Sequence, residues 1–494
     1  MAIIHAAPET TEINTDEGVV RAFDLQTAIN KAGPGDTVQL SPGVYDKPVV
    51  IGHGGAKGRA LTIRGAPGGG SRIDGRRRKR DGLSGGLEPM DDDWSFFKIF
   101  RASHIAIEGL VVRNCWPMVL YMRGCADIAV RGCDVVGARY VVYARALKTH
   151  PAWRYLIEGV TWVQDPDYEM WRGEARWKEV KAKKGFADKS WFNGALFGSF
   201  DIQGDVTIRG CDVSHAFNGV RMDIRASRLK GAQKPKVKRN RNVRIHDNRF
   251  AFIRDNAVEP EMGAEGWLVA GNLFAQVHAT LSLDGVTLRD FAFVGNRIIN
   301  LERPGDGSNT GGKIIKFLGL PSDVGMLKPS RSAGFVTAFN SVRTRTRYVA
   351  DAQMKPWVDA NNAVERLIGP VKDADLDLFN KVVWDRRVTV LAMATNDPKY
   401  PASYGGPASL VSFPPLGSVF ASKPQPIAPS APFDIPKNTM TLSKPAKALA
   451  SEPVEVFGPD KASATIGGAG LGVGAQSLSA LGLDAWVATP PTEV

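Results

Sequence analysis

The sequence of 494 residues is poor in the residue types that cross-link a fold or bind zinc. It has four cysteines, Cys115, Cys125, Cys133 and Cys211, with no Cys-x-x-Cys pair, and its seven histidines show no metal-ligand spacing. Neither a disulfide framework nor a zinc site is therefore predicted. We expect the cysteines to be small buried residues of the core or its turns.

Long apolar runs are also missing from the sequence. No stretch of about 18 apolar residues is present, so no membrane-spanning helix is predicted. The first residues, MAIIHAAPETTEIN, have neither the basic region nor the apolar region of a secretory signal. We expect either that a leader has been removed or that the protein leaves its cell by another route.

The overall composition is that of a globular protein with a basic surface. Hydrophobic residues make up 43% and charged residues 23% of the chain, which excludes a wholly disordered protein. The 52 glycines and 31 prolines follow no triplet period, which excludes a collagen-like chain. The net charge of +12 favours a polyanionic partner such as nucleic acid, an acidic glycan or an anionic membrane surface.

The main signal in the sequence is a recurring phrase of two alternating apolar runs separated by Gly, Asn or Asp. Copies that begin at residues 104 and 127, 242 and 266, and 266 and 290 are 23, 24 and 24 residues apart. That period indicates a solenoid whose repeats each hold three short strands. We therefore predict an all-β fold, a right-handed parallel β-helix.

An amphipathic helix, a strand and a Pro-Gly turn precede the repeats, in DLQTAINKAGPGDTVQLSPGVY (24–45), and LTIRG (61–65) follows them closely. This cap and the repeats resemble the pectate-lyase-like superfamily of parallel β-helix proteins over about residues 20–345. The resemblance implies activity on polysaccharides, as in the lyases, glycosidases and phage tailspikes of that superfamily. The Asn-Glu, Lys-Ser and Arg pattern of its chondroitinase and alginate-lyase group is not found in this sequence.

The predicted organisation has four parts. An N-terminal arm (1–23) is followed by the parallel β-helix (24–345), with turn insertions at 153–200 and 225–241. Residues 346–400 have helical spacing and are predicted to form a small helical subdomain that caps the solenoid. Residues 401–494 are rich in Pro, Ala and Gly, and we expect an extended tail that contacts a partner chain.

Aligning the third strand of each repeat predicts outward columns of side chains, because side chains alternate across a strand and equivalent strands stack. The aligned strands are 119–123, 141–145, 219–223, 257–261 and 280–284. An apolar column is predicted to face the core: Leu120, Val142, Val220, Val258 and Leu281. The two outward columns are Tyr121, Tyr143, Arg221, Glu259 and Ser282, and Arg123, Arg145, Asp223, Glu261 and Asp284.

The acidic part of these columns is the predicted catalytic centre: Asp223, Glu261, Asp284, Glu259 and Arg221. Carboxylates stacked about 4.8 Å apart need relief by a raised pKa, by a cation or by flanking arginines. Carboxylates one coil apart suit a retaining glycosidase, and carboxylates two coils apart suit an inverting one. Ca²⁺ at Asp223, Glu261 and Asp284, with a basic residue as proton abstractor, suits a lyase instead. Binding without turnover and a plain solvated charge ladder are the remaining interpretations.

Other residues near these columns are predicted to bind substrate: Tyr121, Tyr143, Arg123, Arg145, Arg225, His278 and Lys316. The insertion at 153–200 is rich in tryptophan, which suits either sugar stacking or a small core of its own. Two basic runs, 76–80 and 228–241, are predicted to lie in turns. No groove-entering element or base-stacking sheet accompanies them, so nucleic acid is not the expected partner.

We therefore expect a protein that binds, and cleaves by hydrolysis or β-elimination, an acidic polysaccharide. No cofactor is implied apart from the Ca²⁺ option. The tail and the lack of a signal also resemble phage tailspikes, which suggests a trimer or contacts to virion neighbours, at the virion surface or outside the cell. The rival hypothesis is a structural assembly protein of a virion or other large particle, with the β-helix as a rigid spacer.

Overall fold

The computed structural model describes the following residues, to which the structural statements below apply: 1–16, 18–78, 94–150, 152–172, 192–224, 240–261, 263–283, 287–300, 313–316, 333–344, 347–350, 357–360, 362–366, 454–457, 459, 463–466 and 477–488. They form a right-handed parallel β-helix, in which each coil adds one strand to each of three faces.

Face 1 is a parallel sheet built from the first strand of each coil, and the sequence phrase found above supplies most of its strands. A hairpin of β2 (Thr11–Thr15) and β3 (Gly18–Asp24) extends it beside β1. The strands of face 1 are β1 (Ile3–Ala7), β4 (Thr37–Leu40), β7 (Leu61–Arg64), β10 (Ser103–Glu108), β13 (Ala126–Arg131), β16 (Trp153–Glu158), β19 (Gly204–Arg209), β22 (Arg241–His246), β24 (Gly263–Ala270), β26 (Thr287–Val294), β29 (Ala333–Ala338) and β32 (Trp357–Ala360).

Faces 2 and 3 merge into a second sheet because β23 (Arg249–Pro260) and β25 (Leu273–Ser282) run through both. Face 2 also holds β5 (Gly43–Tyr45), β8 (Ser71–Arg77), β11 (Val111–Cys115), β14 (Asp134–Val136), β17 (Thr161–Val163), β20 (Asp212–Ala216), β27 (Arg297–Asn300), β30 (Ser341–Thr344) and β33 (Ala363–Arg366). Face 3 also holds β6 (Val49–Ile51), β9 (Ser95–Phe100), β12 (Met118–Arg123), β15 (Tyr140–Arg145), β18 (Phe197–Phe200), β21 (Val220–Asp223), β28 (Lys313–Lys316) and β31 (Arg347–Ala350).

The N-terminal end of the solenoid is closed by the helix that the sequence predicts, α1 (Leu25–Lys31). The Asp24 carboxylate accepts a hydrogen bond from the Thr27 backbone N–H at 3.0 Å and so caps the helix. Leu25, Ala28 and Ile29 are buried against the first coils. Two further short helices, α2 (Glu169–Arg172) and α3 (Asp484–Ala488), lie elsewhere, and no helix of the described residues is long and apolar enough to cross a membrane.

The core is a set of stacked columns inside the coils. The predicted inward column of face 3 is confirmed, since its five residues are at most 1% exposed: Leu120, Val142, Val220, Val258 and Leu281. Aromatic rings also stack between coils, as in Phe250 on Phe274, whose centroids are 5.2 Å apart. All four cysteines are buried and free, as expected.

A ladder of asparagines lies at the turn between faces 1 and 2. Its members are Asn248, Asn272, Asn296, Asn340 and Asn362, and each Nδ2 donates to the Oδ1 of the next at 2.9–3.0 Å. Each Oδ1 from Asn272 onward also accepts the backbone N–H of the preceding member. The ladder thereby satisfies buried backbone groups that the turn leaves without a strand partner.

Three predicted boundaries need correction. Residues 1–23 are not a separate arm, because β1 pairs with β4 of the first coil. Residues 153–200 are not only an insertion, because β16, β17 and β18 complete a coil of their own. The predicted helical subdomain at 346–400 is wrong where the structure describes it: β31, β32 and β33 continue the three faces as far as residue 366.

The second and third errors have identifiable causes. Trp153–Glu158 repeats the alternating phrase, but a long turn separates it from the short strand β18, so the coil resembles an insertion. The sequence of 359–369 has helical spacing, yet its described strand residues, the end of β32 and all of β33, pair with strand edges of the previous coil, which stabilises the extended form more than weak helix propensity stabilises a helix. The remainder of the predicted helical subdomain, 367–400, lies outside the described residues.

Parts of the predicted tail pack on the chain's own face 1. The hairpin of β34 (Val454–Phe457) and β35 (Ser463–Ile466), with residues 477–488, covers an apolar strip of β24, β26 and β29. Arg244 Nε donates to the Trp486 carbonyl at 2.8 Å. Contact of the tail with a partner chain stays a prediction for the rest of 401–494.

We expect Asn296→Ala to destabilise the protein by at least about 3 kcal/mol, because each buried hydrogen-bonding group left without a partner costs about 1–3 kcal/mol. The change would orphan the Asn272 amide groups and the Val269 carbonyl. Urea and thermal unfolding measure the loss. The control is Arg64→Ala, in a half-exposed pair with Glu108, where the expected loss is below about 1 kcal/mol. Equal losses in the two variants would contradict the role of the ladder.

Candidate functional site

The described members of the two columns that the sequence predicts follow one another along face 3, with one coil added, although Ser282 is fully buried. Strand register places Tyr143 next to Gly198, Gly198 next to Arg221, and Arg221 next to Glu259. The second column runs from Arg123 to Arg145, Phe200 and Asp223. The Glu261 backbone N–H donates to the Met222 carbonyl at 2.8 Å, which sets Glu261 beside Asp223.

The extra coil separates groups that the sequence alignment brought together. Gly198 lies between Tyr143 and Arg221, and Phe200 lies between Arg145 and Asp223. The direct Asp223–Arg145 ion pair that a plain charge ladder would use is therefore not formed across one coil step. The Arg145 guanidinium instead lies 5.6 Å from the centre of the Phe200 ring.

Arg221 is the centre of the acidic cluster. Its Nη2 lies 2.8 Å from Glu261 Oε1, and its Nε lies 3.4 Å from Glu259 Oε2. Burial opposes the charged guanidinium, but Glu261 and Glu259 outweigh it and raise the pKa of Arg221 above its ordinary value. One arginine thus neutralises two carboxylates on adjacent positions of the same outward surface.

Asp223 is the third carboxylate, and within the described residues no Lys, Arg or His forms an ion pair with it, although Arg221 acts on it more weakly. Burial, and next the negative charge of Glu261, raise the pKa of Asp223 to about 7, against the weaker opposing effect of Arg221. A hydrogen bond to Glu261 also favours the protonated form. At neutral pH a substantial fraction of Asp223 is therefore protonated, beside the carboxyl group of Glu261. The repulsion between stacked carboxylates is thus reduced in two ways, by the raised pKa of Asp223 and by the flanking Arg221.

Amides from the neighbouring coils hold the cluster in place. Asn256 Nδ2 donates to Glu259 Oε1 at 2.7 Å, which orients a side chain that is only 5% exposed as a residue. Asn193 Oδ1 accepts from Arg221 Nη1 at 3.3 Å and from Asn218 Nδ2 at 3.2 Å. None of these three asparagines is a predicted site residue. Their contacts with the cluster arise only when the coils stack, and no sequence pattern marks them.

A group of tyrosines adjoins the cluster. The Tyr140 and Tyr143 ring centroids are 4.9 Å apart, and both rings lie over Gly198, where an added Cβ would be 2.5 Å from Tyr140 Cε1. Glycine at 198 is thus required by the rings. Tyr121, predicted to bind substrate, is only 3% exposed: Tyr143 stacks on it at 6.1 Å and Arg145 Nη1 lies 3.4 Å from its hydroxyl.

The other predicted binding residues lie at different distances from the cluster along face 3. Arg123 is half-buried, with its guanidinium 5.8 Å from the Phe100 ring centre. Lys316 pairs in register with Ser282, and His278 lies half-buried in β25. Asp284 and Arg225 lie outside the described residues, as do residues 173–191 and 225–239 of the two predicted insertions.

The structure describes part of the tryptophan-rich segment 153–200 and part of the first basic run, 76–80. Trp162 belongs to the core, fully buried, with its Nε1 donating to the Ala138 carbonyl at 3.1 Å. Trp153 lies on face 1 with the Arg154 guanidinium 3.9 Å from its ring centre. In the first basic run, Arg76 pairs with Asp46, and Arg77 lies 4.7 Å from the Trp94 ring.

The fit of the carboxylates to Ca²⁺ depends on their present partners. Within the described residues, no group of three or more His, Cys, Asp and Glu side chains could hold a metal ion. The Glu261 and Glu259 oxygens that would bind a cation face the Arg221 guanidinium instead. The described part of the predicted calcium set therefore does not fit a bound Ca²⁺ in this arrangement.

No family model matches the sequence, and no curated protein matches it. Solved structures do resemble it. A pectate lyase is 11% identical, with 76% of this chain and 79% of the other covered and a TM-score of 0.42. An endo-xylogalacturonan hydrolase from Aspergillus tubingensis is 10% identical, with 73% and 91% covered and a TM-score of 0.42. The tailspike protein of an E. coli bacteriophage, in complex with a pentasaccharide, is 13% identical, with 67% and 52% covered and a TM-score of 0.37.

The raised pKa of Asp223 predicts a specific pH dependence of stability. An unfolded aspartate ionises near pH 4, whereas the folded carboxyl ionises near pH 7. Between these values the folded state binds more protons than the unfolded chain, so this group makes stability fall as pH rises. Asp223→Asn removes the effect, and we expect the difference in Tm, variant minus wild type, to be larger at pH 8 than at pH 4.

Differential scanning calorimetry across this range measures the difference. The control is Asp24→Asn, because hydrogen bonds from Thr27 lower the pKa of Asp24, so that its ionised form stabilises the folded state. This variant is expected to show no increase in relative Tm with pH. A flat difference for Asp223→Asn would show that Asp223 titrates normally.

Proposed function

We propose that the protein binds an extended acidic polysaccharide along face 3 and hydrolyses it at the Asp223–Glu261 pair. The observation that supports the proposal is the acidic cluster around Arg221: burial and the charge of Glu261 raise the pKa of Asp223 to about 7, while Glu261 Oε1 lies 2.8 Å from Arg221 Nη2. A carboxyl group whose surroundings raise its pKa toward neutrality is suited to act as a general acid.

In this proposal Asp223 is the general acid. A carboxylic acid with a pKa of about 7 still carries its proton at neutral pH and can donate it to the oxygen of a leaving sugar. Glu261, whose Oε1 lies 2.8 Å from Arg221 Nη2, is the carboxylate placed to stabilise an oxocarbenium-like transition state, and water attacks the anomeric carbon as the glycosidic C–O bond breaks. Arg221 and Glu259 act as positioning residues, because they touch Glu261 or its guanidinium partner.

The path of the glycan along face 3 is proposed from the distribution of basic side chains. Lys98, Arg123, Arg145, Arg221 and Lys316 lie on the outward surface of successive or near-successive coils. From β9 to β28 there are seven coil steps, or roughly 34 Å at about 4.8 Å a step, enough for several sugar rings. Positive charge spread over that length suits an anionic chain.

The cluster differs from a charge ladder that serves structure alone, and the same molecule offers the comparison. On face 1, Arg64, Glu108, Arg131, Glu158 and Arg209 alternate in sign, each ion-paired to its neighbours at 2.6–3.4 Å. On face 3, three carboxyl groups share one arginine, and one of them is forced to keep its proton. A spacer gains nothing from that arrangement, which costs stability above pH 4.

The test is incubation of the protein with acidic and neutral polysaccharides, with and without EDTA, reading new reducing ends and the absorbance of unsaturated uronates. We expect reducing ends without the absorbance, and a loss of about 10²–10⁴-fold in Asp223→Asn. Because the acid must be protonated, kcat/KM is expected to fall as pH rises above about 7. Glu261→Gln is expected to lose activity as well.

The matched control is Glu158→Gln, which removes a carboxylate from the face 1 ladder and should leave cleavage unchanged. Absorbance that disappears with EDTA would favour a metal-assisted lyase instead. No cleavage and no binding across the panel would favour the structural assembly protein. Localisation at a virion surface or outside the cell, and contacts through the tail, also stay proposals.

A further inference from the structure

Arg139 is a buried cation with no carboxylate beside it. It precedes β15 and is 6% exposed. Its Nε donates to the Asn193 backbone carbonyl at 3.0 Å, and its guanidinium lies 5.4 Å from the Tyr140 ring centre. Tyr140 and Tyr143 favour its charged form, Tyr140 also through a side-chain hydrogen bond, but in the described part of the chain no Asp or Glu forms an ion pair with it. Arginine stays charged in proteins, so among the described residues this buried charge has no carboxylate counter-ion.

Other buried arginines of this protein form ion pairs with aspartates, which is the usual way to compensate a buried charge. Arg249 is 5% exposed and pairs with Asp212 at 3.1 Å, and the largely buried Arg113 side chain pairs with Asp134 at 2.9 Å. A charge that is nine-tenths buried and unpaired is rarely tolerated unless it has a function. Burial lowers the pKa of the Arg139 guanidinium, against the opposing effects of Tyr140 and Tyr143, and the positive charge of Arg221 adds a smaller effect in the same direction as burial. An anion beside the guanidinium would supply the missing counter-charge.

The surroundings of Arg139 place it in the candidate site. Asn193 bridges it to the acidic cluster, because the Asn193 carbonyl accepts from Arg139 while its side-chain Oδ1 accepts from Arg221. The Tyr140 hydroxyl donates to the same Asn193 carbonyl at 3.0 Å. Gly194 allows this close approach, since a Cβ there would lie 2.0 Å from the Arg139 carbonyl oxygen. The backbone is thus shaped to hold the guanidinium next to the tyrosines.

We propose that Arg139 is the anion-binding residue of the site, and that it takes the oxyanion substituent of a sugar, a uronate carboxylate or a sulfate ester. The planar guanidinium presents its two Nη groups in the fork that binds such oxyanions. The tyrosine rings beside it suit the apolar face of the same sugar. The inference rests on the proposed function only in assuming that the ligand is a glycan.

The first experiment needs no turnover. Thermal unfolding of wild type, Arg139→Met and Arg221→Met is followed with sodium glucuronate, sodium sulfate or neutral methyl glucoside at matched ionic strength. We expect glucuronate, sulfate or both to raise the wild-type Tm, with methyl glucoside ineffective. In Arg139→Met the apparent dissociation constant for the oxyanion is expected to rise about tenfold or more, the loss of one charge-assisted contact.

Arg221→Met is the matched control in the ligand-free state. It leaves Glu259 and Glu261 unneutralised, so its Tm should fall, whereas Arg139→Met removes an uncompensated charge and should leave Tm equal or higher. Arg139→Lys, which keeps the charge without the fork, is the second variant and should retain a weakened response. A response to glucuronate alone identifies a carboxylate, and a response to sulfate alone identifies a sulfate ester.

The proposal is overturned if the wild type responds to neither oxyanion, or if Arg139→Met responds as the wild type does. Failure of the proposed function has a different signature. If Asp223→Asn cleaves glycan normally while Arg139→Met loses its oxyanion response, the acid assignment fails and the anion site stands. If Asp223→Asn is inactive and the oxyanion response is unchanged in Arg139→Met, the anion site fails and the hydrolase proposal stands.

Discussion

Parallel hydrogen bonding between successive coils is the constraint on which the rest of this structure depends. It sets equivalent residues about 4.8 Å apart, one above another, so each sequence position becomes a column of like environments. Columns of apolar residues form the core, and the asparagine column satisfies the buried backbone hydrogen-bonding groups of the turn between faces 1 and 2. A column that collects charges of one sign must be relieved within the same few ångströms, and that requirement produces the chemistry of face 3.

The two charged surfaces show how differently this constraint can be met. On face 1, alternation of Arg and Glu cancels charge step by step, and the pairs are of the half-exposed kind that contributes little to stability. Where that alternation ends, at Ala270, Val294 and Ala338, the outward surface turns apolar and the C-terminal segments cover it. On face 3 the charges do not alternate, and the cost appears as a protonated Asp223 and an unpaired Arg139.

Asn193 links Arg139 to the acidic cluster, because it contacts both Arg139 and the central Arg221. A retained proton and a retained positive charge are the two features that an acid-catalysed reaction on an anionic sugar needs. Strain of this kind is usually kept where a ligand relieves it. The stability that the protein gives up on face 3 is therefore the physical basis of the function proposed for it.

The sequence alone was sufficient for the β-helix, its cap helix, the inward column and the position of Arg221, Glu259, Asp223 and Glu261 on one surface, because strand alternation and repeat length are local properties. It was insufficient for the coil containing β18, the strands at 347–366, the burial of Tyr121 and the role of Arg139. Those depend on which segments stack across long turns and on whether a charge finds a partner from another coil. Only the tertiary structure decides them, because burial and ion pairing are properties of neighbours distant in the chain.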